Sequence, residues 1–206
     1  MRLPALTPVS CEQDQGNIMI GRTIVALAVL AGALVPALAG EVEDLAREAE
    51  AKAKAGDTLA AVETLRRAIG AVMAQGPLTL RRVQFIAEPP KGFGIYKARP
   101  DNVFKPGEPL IIYAEPIGMG WKTENGVNRA LVAADFEIRT PDGKILGGQK
   151  DFGRFEFMSQ EQNQEIMTHL TIRVSGAPAG NYVFAATYRD QVNGKAANLT
   201  LPFEIK

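Results

Sequence analysis

Residues 166–174 read IMTHLTIRV, and this stretch indicates the structural class of the chain more clearly than any other. Isoleucine, threonine, leucine, isoleucine and valine fill every second position, with methionine, histidine, threonine and arginine between them. Successive side chains of a β-strand point to opposite faces of its sheet, so one face here is mostly apolar and the other polar. A strand that is buried on one face and wet on the other is typical of an antiparallel sheet.

The same alternation, or a short apolar run, recurs on both sides of this stretch. The segments that we predict to be strands are 83–87, 110–115, 132–138, 155–157, 166–174, 182–189 and 197–205. Pro141-Asp142-Gly143 and Asn193-Gly194 are typical of hairpin turns between them. About seven short strands predict an antiparallel β-sandwich over residues 77–206. Pro202 lacks a backbone donor, which predicts a free edge or a bulge in the last strand.

Before the strands, the apolar residues follow a helical period, which predicts a hairpin of two helices at residues 40–76. The helices span 41–55 and 58–74, and Gly56-Asp57 between them suits a helix end followed by an N-cap. The apolar stripe predicted for the second helix is Leu59, Val62, Leu65, Ile69, Val72 and Met73.

The hairpin resembles a single repeat of the tetratricopeptide type. One copy stands in this sequence, whereas stacked repeats need several neighbours to bury a continuous core. We expect a lone helix pair that packs on the following domain or on a partner. A dimerisation arm with closely packed alanine faces is an alternative, and the sequence leaves the oligomeric state open.

The first forty residues have the features of an export signal. Arg22 precedes the apolar run TIVALAVLAGAL at 23–34, and Ala37-Leu38-Ala39 follows. This order predicts a signal peptide over residues 1–39, with cleavage after Ala39. A transmembrane anchor is the alternative, but the run is shorter than the roughly 20 residues that a bilayer requires.

The predicted initiator is Met19, because Glu12 and Asp14 are unusual in a signal n-region. Cleavage also removes Cys11, the only cysteine, so the mature chain has no disulfide. We expect a periplasmic or secreted protein with no membrane span after cleavage. With 23 basic and 23 acidic residues and no dense basic patch, the chain is not expected to bind nucleic acid.

Three segments resemble extracellular immunoglobulin-like and fibronectin-like domains. They are 104–113 (FKPGEPLIIY), 179–184 (AGNYVF) and 190–205, which contains Asn193-Gly194 and LPFEI. In the order of these segments, the chain more closely resembles uncharacterised secreted bacterial proteins. The resemblance covers about half of the chain and implies an Ig-like sandwich with an interaction or structural role; it supplies no catalytic residues. The chain lacks the cysteine pair of true immunoglobulin domains. In the 179–184 segment, Tyr182 is expected to bury its ring and bond a backbone carbonyl, as in a tyrosine corner.

Two glycine-rich loops carry the residues most typical of contact with a ligand or partner. Trp121, the single tryptophan, follows Met119 in the first loop, and Phe93 and Tyr96 stand in the second. Aromatic residues in loops of a rigid scaffold are common binding anchors. The alternative for Trp121 is that it folds back and caps an open end of the sandwich.

Met167 and His169, the single histidine, fall on the same polar strand face. A thioether with an imidazole suits copper(I), and a solvent-facing histidine without a ligand is the alternative. The acids of residues 135–151 could serve calcium or sugar chemistry, but they do not follow the spacing of an EF-hand loop, and a solvated face and a turn are the alternative. These acids are Asp135, Glu137, Asp142 and Asp151.

The sequence therefore predicts a mainly β protein: an antiparallel Ig-like β-sandwich preceded by a signal peptide and a short helical hairpin. We expect no cofactor and no enzymatic activity. The expected function is that of an exported periplasmic binding or structural module, with another periplasmic or envelope protein as partner. The alternative is a periplasmic copper carrier or a hydrolase built on the same sandwich.

Overall fold

The computed structural model describes residues 36–206. Met19, Cys11 and nearly all of the predicted signal peptide lie outside the described residues, and the first described helix begins at Pro36. Neither helix in the described part of the chain is long and apolar enough to cross a membrane.

Two helices precede the strands, as predicted. Helix α1 spans Pro36–Lys54 and helix α2 spans Thr58–Gln75. Gly56 adopts a φ of +81°, which a side chain would disfavour, and ends the first helix. The Asp57 carboxylate then accepts the Ala60 N–H at 3.1 Å and caps the second.

The two helices pack through their small side chains. Ala49 of α1 and Ala61 and Ala68 of α2 are buried. Residues of this size let the helix backbones approach closely. Thr64 is also buried and accepts a hydrogen bond from Lys52 Nζ at 2.9 Å. The larger apolar side chains predicted as the stripe of α2 lie outside this contact and are mostly exposed.

Nine strands in the described residues form two sheets. Their bounds are β1 Thr79–Phe85, β2 Val103–Phe104, β3 Pro109–Ile117, β4 Lys122–Glu124, β5 Val127–Arg139, β6 Ile145–Ser159, β7 Thr168–Arg173, β8 Gly180–Asp190 and β9 Ala196–Ile205. The small sheet has the order β1-β3-β7, and the large sheet has the order β2-β9-β8-β5-β4, with β6 also paired to β5. All pairs are antiparallel except the two-residue contact of β2 with β9. The predicted mainly β, antiparallel fold is confirmed, and the arrangement is compatible with an Ig-like sandwich.

The alternation in 166–174 matches the core. Ile166, Thr168, Leu170 and Ile172 are buried between the sheets, whereas Thr171 and Arg173 are exposed. The large sheet supplies the opposite wall of the core with Val132, Ala134, Ile138, Phe184, Ala186, Tyr188, Leu199, Phe203 and Ile205.

The first strand departs from the predicted alternation. The pairing register with β3 shifts between Arg81 and Gln84, and Arg82 adopts a φ of +54°. The strand then ends at Phe85, so that Ile86 is buried and Ala87 is exposed. The strand predicted over 83–87 therefore ends two residues early, and a bulge interrupts its alternation.

Pro202 lies at a free edge, as predicted. Strand β9 pairs with β8 along its length but meets β2 only at Glu204 and Ile205. The Glu204 N–H donates to the Asn102 carbonyl at 2.9 Å on that outer side. Pro202 and Glu204 are two residues apart, so their backbone nitrogens point to the same side of the strand. The nitrogen of Pro202 therefore lies on the outer edge, beyond the two residues that pair with β2.

Candidate functional site

A groove separates two strands whose outer edges are unpaired in the described structure. Strand β6 pairs only with β5, and β7 pairs only with β3. Between them lies a cavity of about 440 Å³, which we call the edge groove. Its lining residues are Phe136, Ile138, Leu146, Gly147, Gly148, Ile172, Arg173, Val174, Ser175, Gly176, Ala177, Pro178 and Tyr182.

The floor of the edge groove is apolar and fixed by aromatic contacts. Phe136 meets Phe152 edge to face with ring centroids 4.7 Å apart. Tyr182 stacks on Phe203 at 5.5 Å and is only 8% exposed. Packed aromatic rings hold the floor in one shape, so the groove is preformed.

One wall of the groove is the loop that follows β7. The Tyr182 hydroxyl donates to the Pro178 carbonyl at 2.7 Å, which is the tyrosine corner predicted from the sequence. Gly176 adopts a φ of +73°, a conformation that favours glycine, and lets the loop turn back over the floor. The hydrogen bond fastens the loop to β8 and keeps this wall in place.

The opposite wall is the beginning of β6. Leu146 is half exposed, and Gly147 and Gly148 leave the strand edge without side chains. A Cβ at position 148 would lie 2.4 Å from the Phe136 carbonyl oxygen, so glycine is required there. The same three residues also border a second concavity of about 360 Å³, on the outer face of the large sheet.

The chemistry that the edge groove offers is binding chemistry. Arg173 and Tyr182 are the ionisable side chains of its lining, and the Tyr182 hydroxyl is already engaged. Arg173 donates to the Gly107 carbonyl at 3.2 Å from an exposed position. Apart from the side chain of Ser175, apolar surface and backbone groups make up the rest of the lining.

The loop with Met119 and Trp121 lies elsewhere, where α2 meets the sandwich. Met119 is 7% exposed and belongs to the core, and Trp121 packs partly buried against the core. The Gly120 N–H donates to the buried Asp190 carboxylate at 2.5 Å. Trp121 therefore covers the core, which is the arrangement of the capping alternative, and a cavity of about 330 Å³ lies between it and α2.

Lys195 holds this junction together. Its ammonium donates to the Ala74 carbonyl at 2.9 Å and the Gly76 carbonyl at 2.6 Å. These carbonyls belong to the C-terminal end of α2, where the helix dipole favours a cation. The lysine lies within 3.4 Å of the Gly118 carbonyl as well, so it links the helix end to the Trp121 loop.

Tyr96 and the residues of the predicted copper pair lie together on the outer face of the small sheet. Tyr96 and Met167 pack against an apolar cluster that contains Tyr113, with the Tyr96 and Tyr113 rings 4.3 Å apart. His169 is the cross-strand partner of Tyr113. Phe93 lies beneath the Arg81 guanidinium at 5.5 Å. The structure thus divides the predicted site residues between two places, and neither is the edge groove.

A buried polar chain runs under this face. The Gly94 N–H donates to the Tyr113 hydroxyl at 2.8 Å, and that hydroxyl donates to Glu115 at 2.8 Å. Arg81 pairs with the same buried carboxylate at 2.5 Å. Burial raises the pKa of Tyr113 to about 12, and the Glu115 carboxylate adds to the rise.

The acids weighed as a calcium or sugar site are dispersed among arginines. Arg189 pairs with both Asp135 and Asp151, and Glu137 pairs with Arg139. Among residues 36–206, no three His, Cys, Asp or Glu side chains are grouped so as to hold a metal ion.

The edge groove was not predicted, although two signals for it were present. Gly147-Gly148 inside a strand indicates an open or irregular edge, and Ser175-Gly176 before Pro178 indicates a tight loop. Neither signal shows that β6 and β7 face each other.

The sequence matches no family model and no curated protein. Among solved structures, the chain is similar to the alkylpurine DNA glycosylase AlkC of Pseudomonas fluorescens bound to DNA with an abasic site analog, at 12% identity and a TM-score of 0.34. That alignment covers 69% of this chain and 34% of the glycosylase, so the chain spans about a third of its length.

Two smaller structures are similar at the same level. The superoxide reductase (neelaredoxin) of Ignicoccus hospitalis aligns at 12% identity and a TM-score of 0.33, covering 68% of this chain and 91% of that one. The CARDB domain of a Pyrococcus furiosus protein, in complex with di-metal ions, aligns at 13% identity and a TM-score of 0.31, covering 63% and 90%. These TM-scores carry no argument about the function of the chain.

Proposed function

We propose that this protein is an exported, non-enzymatic binding module whose edge groove binds an extended, mostly apolar peptide segment of another envelope protein. The peptide adds a strand to the free edge of β6 and lays alternate side chains on the apolar floor. The single observation that carries the proposal is the unpaired edge of β6 beside a preformed apolar groove.

The two features of the groove fit a polypeptide together. An unpaired strand edge presents backbone donors and acceptors in a row, and an extended chain satisfies them. The floor formed by Phe136, Ile138 and Ile172 offers apolar surface to every second side chain of that chain. A lipid chain would use the floor but leave the edge unsatisfied, so the edge favours a peptide.

The size of the groove agrees with this occupant. A cavity of about 440 Å³ lies within the range of roughly 300–1,000 Å³ that is usual for ligand sites. Leu146 on its rim is half exposed and offers an apolar contact to such a peptide. The predicted signal peptide supports the export part of the proposal. A mature chain without cysteine is compatible with an oxidising compartment and with a reducing one.

The test is a selection of peptides followed by a binding measurement. A phage library of random peptides of about ten residues is selected on the wild-type protein, with counter-selection on Leu146→Asp. We expect the selected peptides to alternate apolar and polar residues. Fluorescence anisotropy should then show binding at least about tenfold weaker to Leu146→Asp, because an apolar contact is replaced by a charge.

The matched control is Ile145→Asp, since Ile145 is equally exposed but borders only the outer concavity. It should bind the selected peptides as the wild type does. Of two peptides with N-methyl groups on alternate residues in opposite registers, one should lose binding, because its methylated nitrogens face the strand edge, and the other should keep it. Selected peptides without alternation, or equal binding by Leu146→Asp, would contradict the proposal.

A further inference from the structure

Helix α2 carries an apolar stripe that the described structure leaves uncovered. The α2 stripe comprises Leu59, Val62, Leu65, Ile69 and Val72, which are 70%, 48%, 47%, 46% and 51% exposed. Its exposed area is on the order of 500 Å², close to the largest apolar patch of a typical monomer. Single exposed apolar residues are common, but five on one helix are not.

The fold of the hairpin does not account for the stripe. The face of α2 that packs on α1 is built from Ala61, Thr64 and Ala68. Helix α2 is attached to the sandwich at its end by Lys195 and near its middle by Gln164, whose side-chain amide donates to the Arg66 carbonyl at 2.5 Å. Both contacts use other positions, so these attachments within residues 36–206 leave the stripe uncovered.

The spacing of the stripe matches another helix. Val62, Leu65, Ile69 and Val72 follow one another at intervals of three, four and three residues. These are the a and d positions of a heptad, with β-branched residues at a and leucine or valine at d. Side chains at this spacing interlock with a helix of the same spacing.

We infer that the α2 stripe is the contact surface between two copies of this chain, so that two hairpins form a four-helix bundle. A two-fold axis brings the same surface of each copy together. Because the apolar side chains of the two stripes have the same spacing, they can interlock across the axis. A stable interface buries roughly 800 Å² on each partner, and the stripe supplies more than half of that area before its polar rim is counted. This inference is independent of the edge groove.

The mass of the particle in solution tests the inference. The full chain, purified as its host processes it, should have the mass of two copies by light scattering at about 10 μM. Leu65→Asp with Ile69→Asp should give the mass of one copy, because each buries a carboxylate in an apolar seam. The matched control Arg67→Asp changes an exposed residue of the same helix outside the stripe and should remain a dimer.

Cysteine cross-linking provides a second test that does not rely on a charged substitution. Cys11 is the only cysteine, so a Cys11→Ser background allows one reporter thiol. Leu65→Cys should form a disulfide-linked dimer under mild oxidation, whereas Arg67→Cys should not.

Three results would overturn the inference. They are a wild-type protein with the mass of one copy at about 1 mM, a dimer mass unchanged by the paired aspartates, and equal cross-linking at positions 65 and 67. Binding of a monomeric wild type to anionic phospholipid vesicles, lost with the paired aspartates, would instead assign the stripe to a membrane surface and would also overturn it.

Discussion

Tyr182 makes two separate contacts: its ring packs on Phe203, and its hydroxyl donates to the Pro178 carbonyl. Gly180 and the following strand predicted a buried ring and a bond to a carbonyl. The sequence could not show that this bond also fixes a wall of the edge groove, because the other wall comes from residues 146–148.

Replacement of Tyr182 separates its two contributions to stability. Tyr182→Phe keeps the ring and removes the hydrogen bond, so the free energy of unfolding should fall by about 1 kcal/mol. Tyr182→Ala also removes the buried ring and should lower it by roughly 3 kcal/mol. Urea denaturation measures both. A Tyr182→Ala protein as stable as the wild type would contradict the packing described for this strand.

Two buried phenols should make the protein sensitive to alkali. Burial raises the pKa of Tyr113 and of Tyr188 to about 12, above the ordinary value of 10. The folded state favours the protonated phenols. Their contribution to the free energy of unfolding is therefore complete below pH 10 and is lost as the pH rises towards 12. The loss should be on the order of 2 kcal/mol for each tyrosine.

Urea midpoints measured between pH 8 and about pH 11 test this expectation. Stability should fall above pH 10, and the pH dependence should weaken in Tyr113→Phe. If Tyr113→Phe kept the full dependence, Tyr113 would not be a source of it.

At the scale of elements, the strands were more predictable than the faces of the helices. Alternation in 166–174 identified the buried positions of β7, because a sheet has two faces and polarity distinguishes them. Helix α2 offers more than one apolar face. If α2 packed through its larger apolar side chains, Leu65 and Ile69 would be buried. The helix instead packs on α1 through Ala61 and Ala68.

The junction between α2 and the sandwich depends on one side chain. Lys195→Met keeps most of the apolar stem of Lys195 but removes the ammonium from the carbonyls of Ala74 and Gly76. The last turn of α2 should then open more easily, with amide hydrogen exchange there faster by about fivefold, equivalent to roughly 1 kcal/mol. Lys144→Met, in an exposed turn, is the control. Unchanged exchange in α2 would mean that the lysine does not hold the helix end.

At the scale of the whole molecule, the sequence predicted the layers but not the site. The pattern of strands and turns indicated an antiparallel sandwich behind a helical hairpin, and the structure has both. The edge groove requires β5, β6, β7 and β8 to come together, and strand order is a long-range property that local alternation does not encode. The loop of Trp121, which the sequence indicated as a contact loop, is attached to the core by the hydrogen bond from Gly120 to Asp190.

The proposed peptide site lies at the edge of β6, and the proposed contact between copies lies on α2. These are separate surfaces of the molecule. The two are therefore expected to be independent. A monomeric variant of the α2 stripe should bind selected peptides as tightly as the wild type does.

Hydrogen exchange of the protein with and without a peptide selected on the edge groove is the most direct test of the central claim. A strand added to β6 must protect the backbone amides that point to its free edge, so alternate residues of 145–149 should exchange at least about tenfold more slowly in the complex. Protection confined to α2 or to the Trp121 loop, with the β6 edge unchanged, would contradict the account.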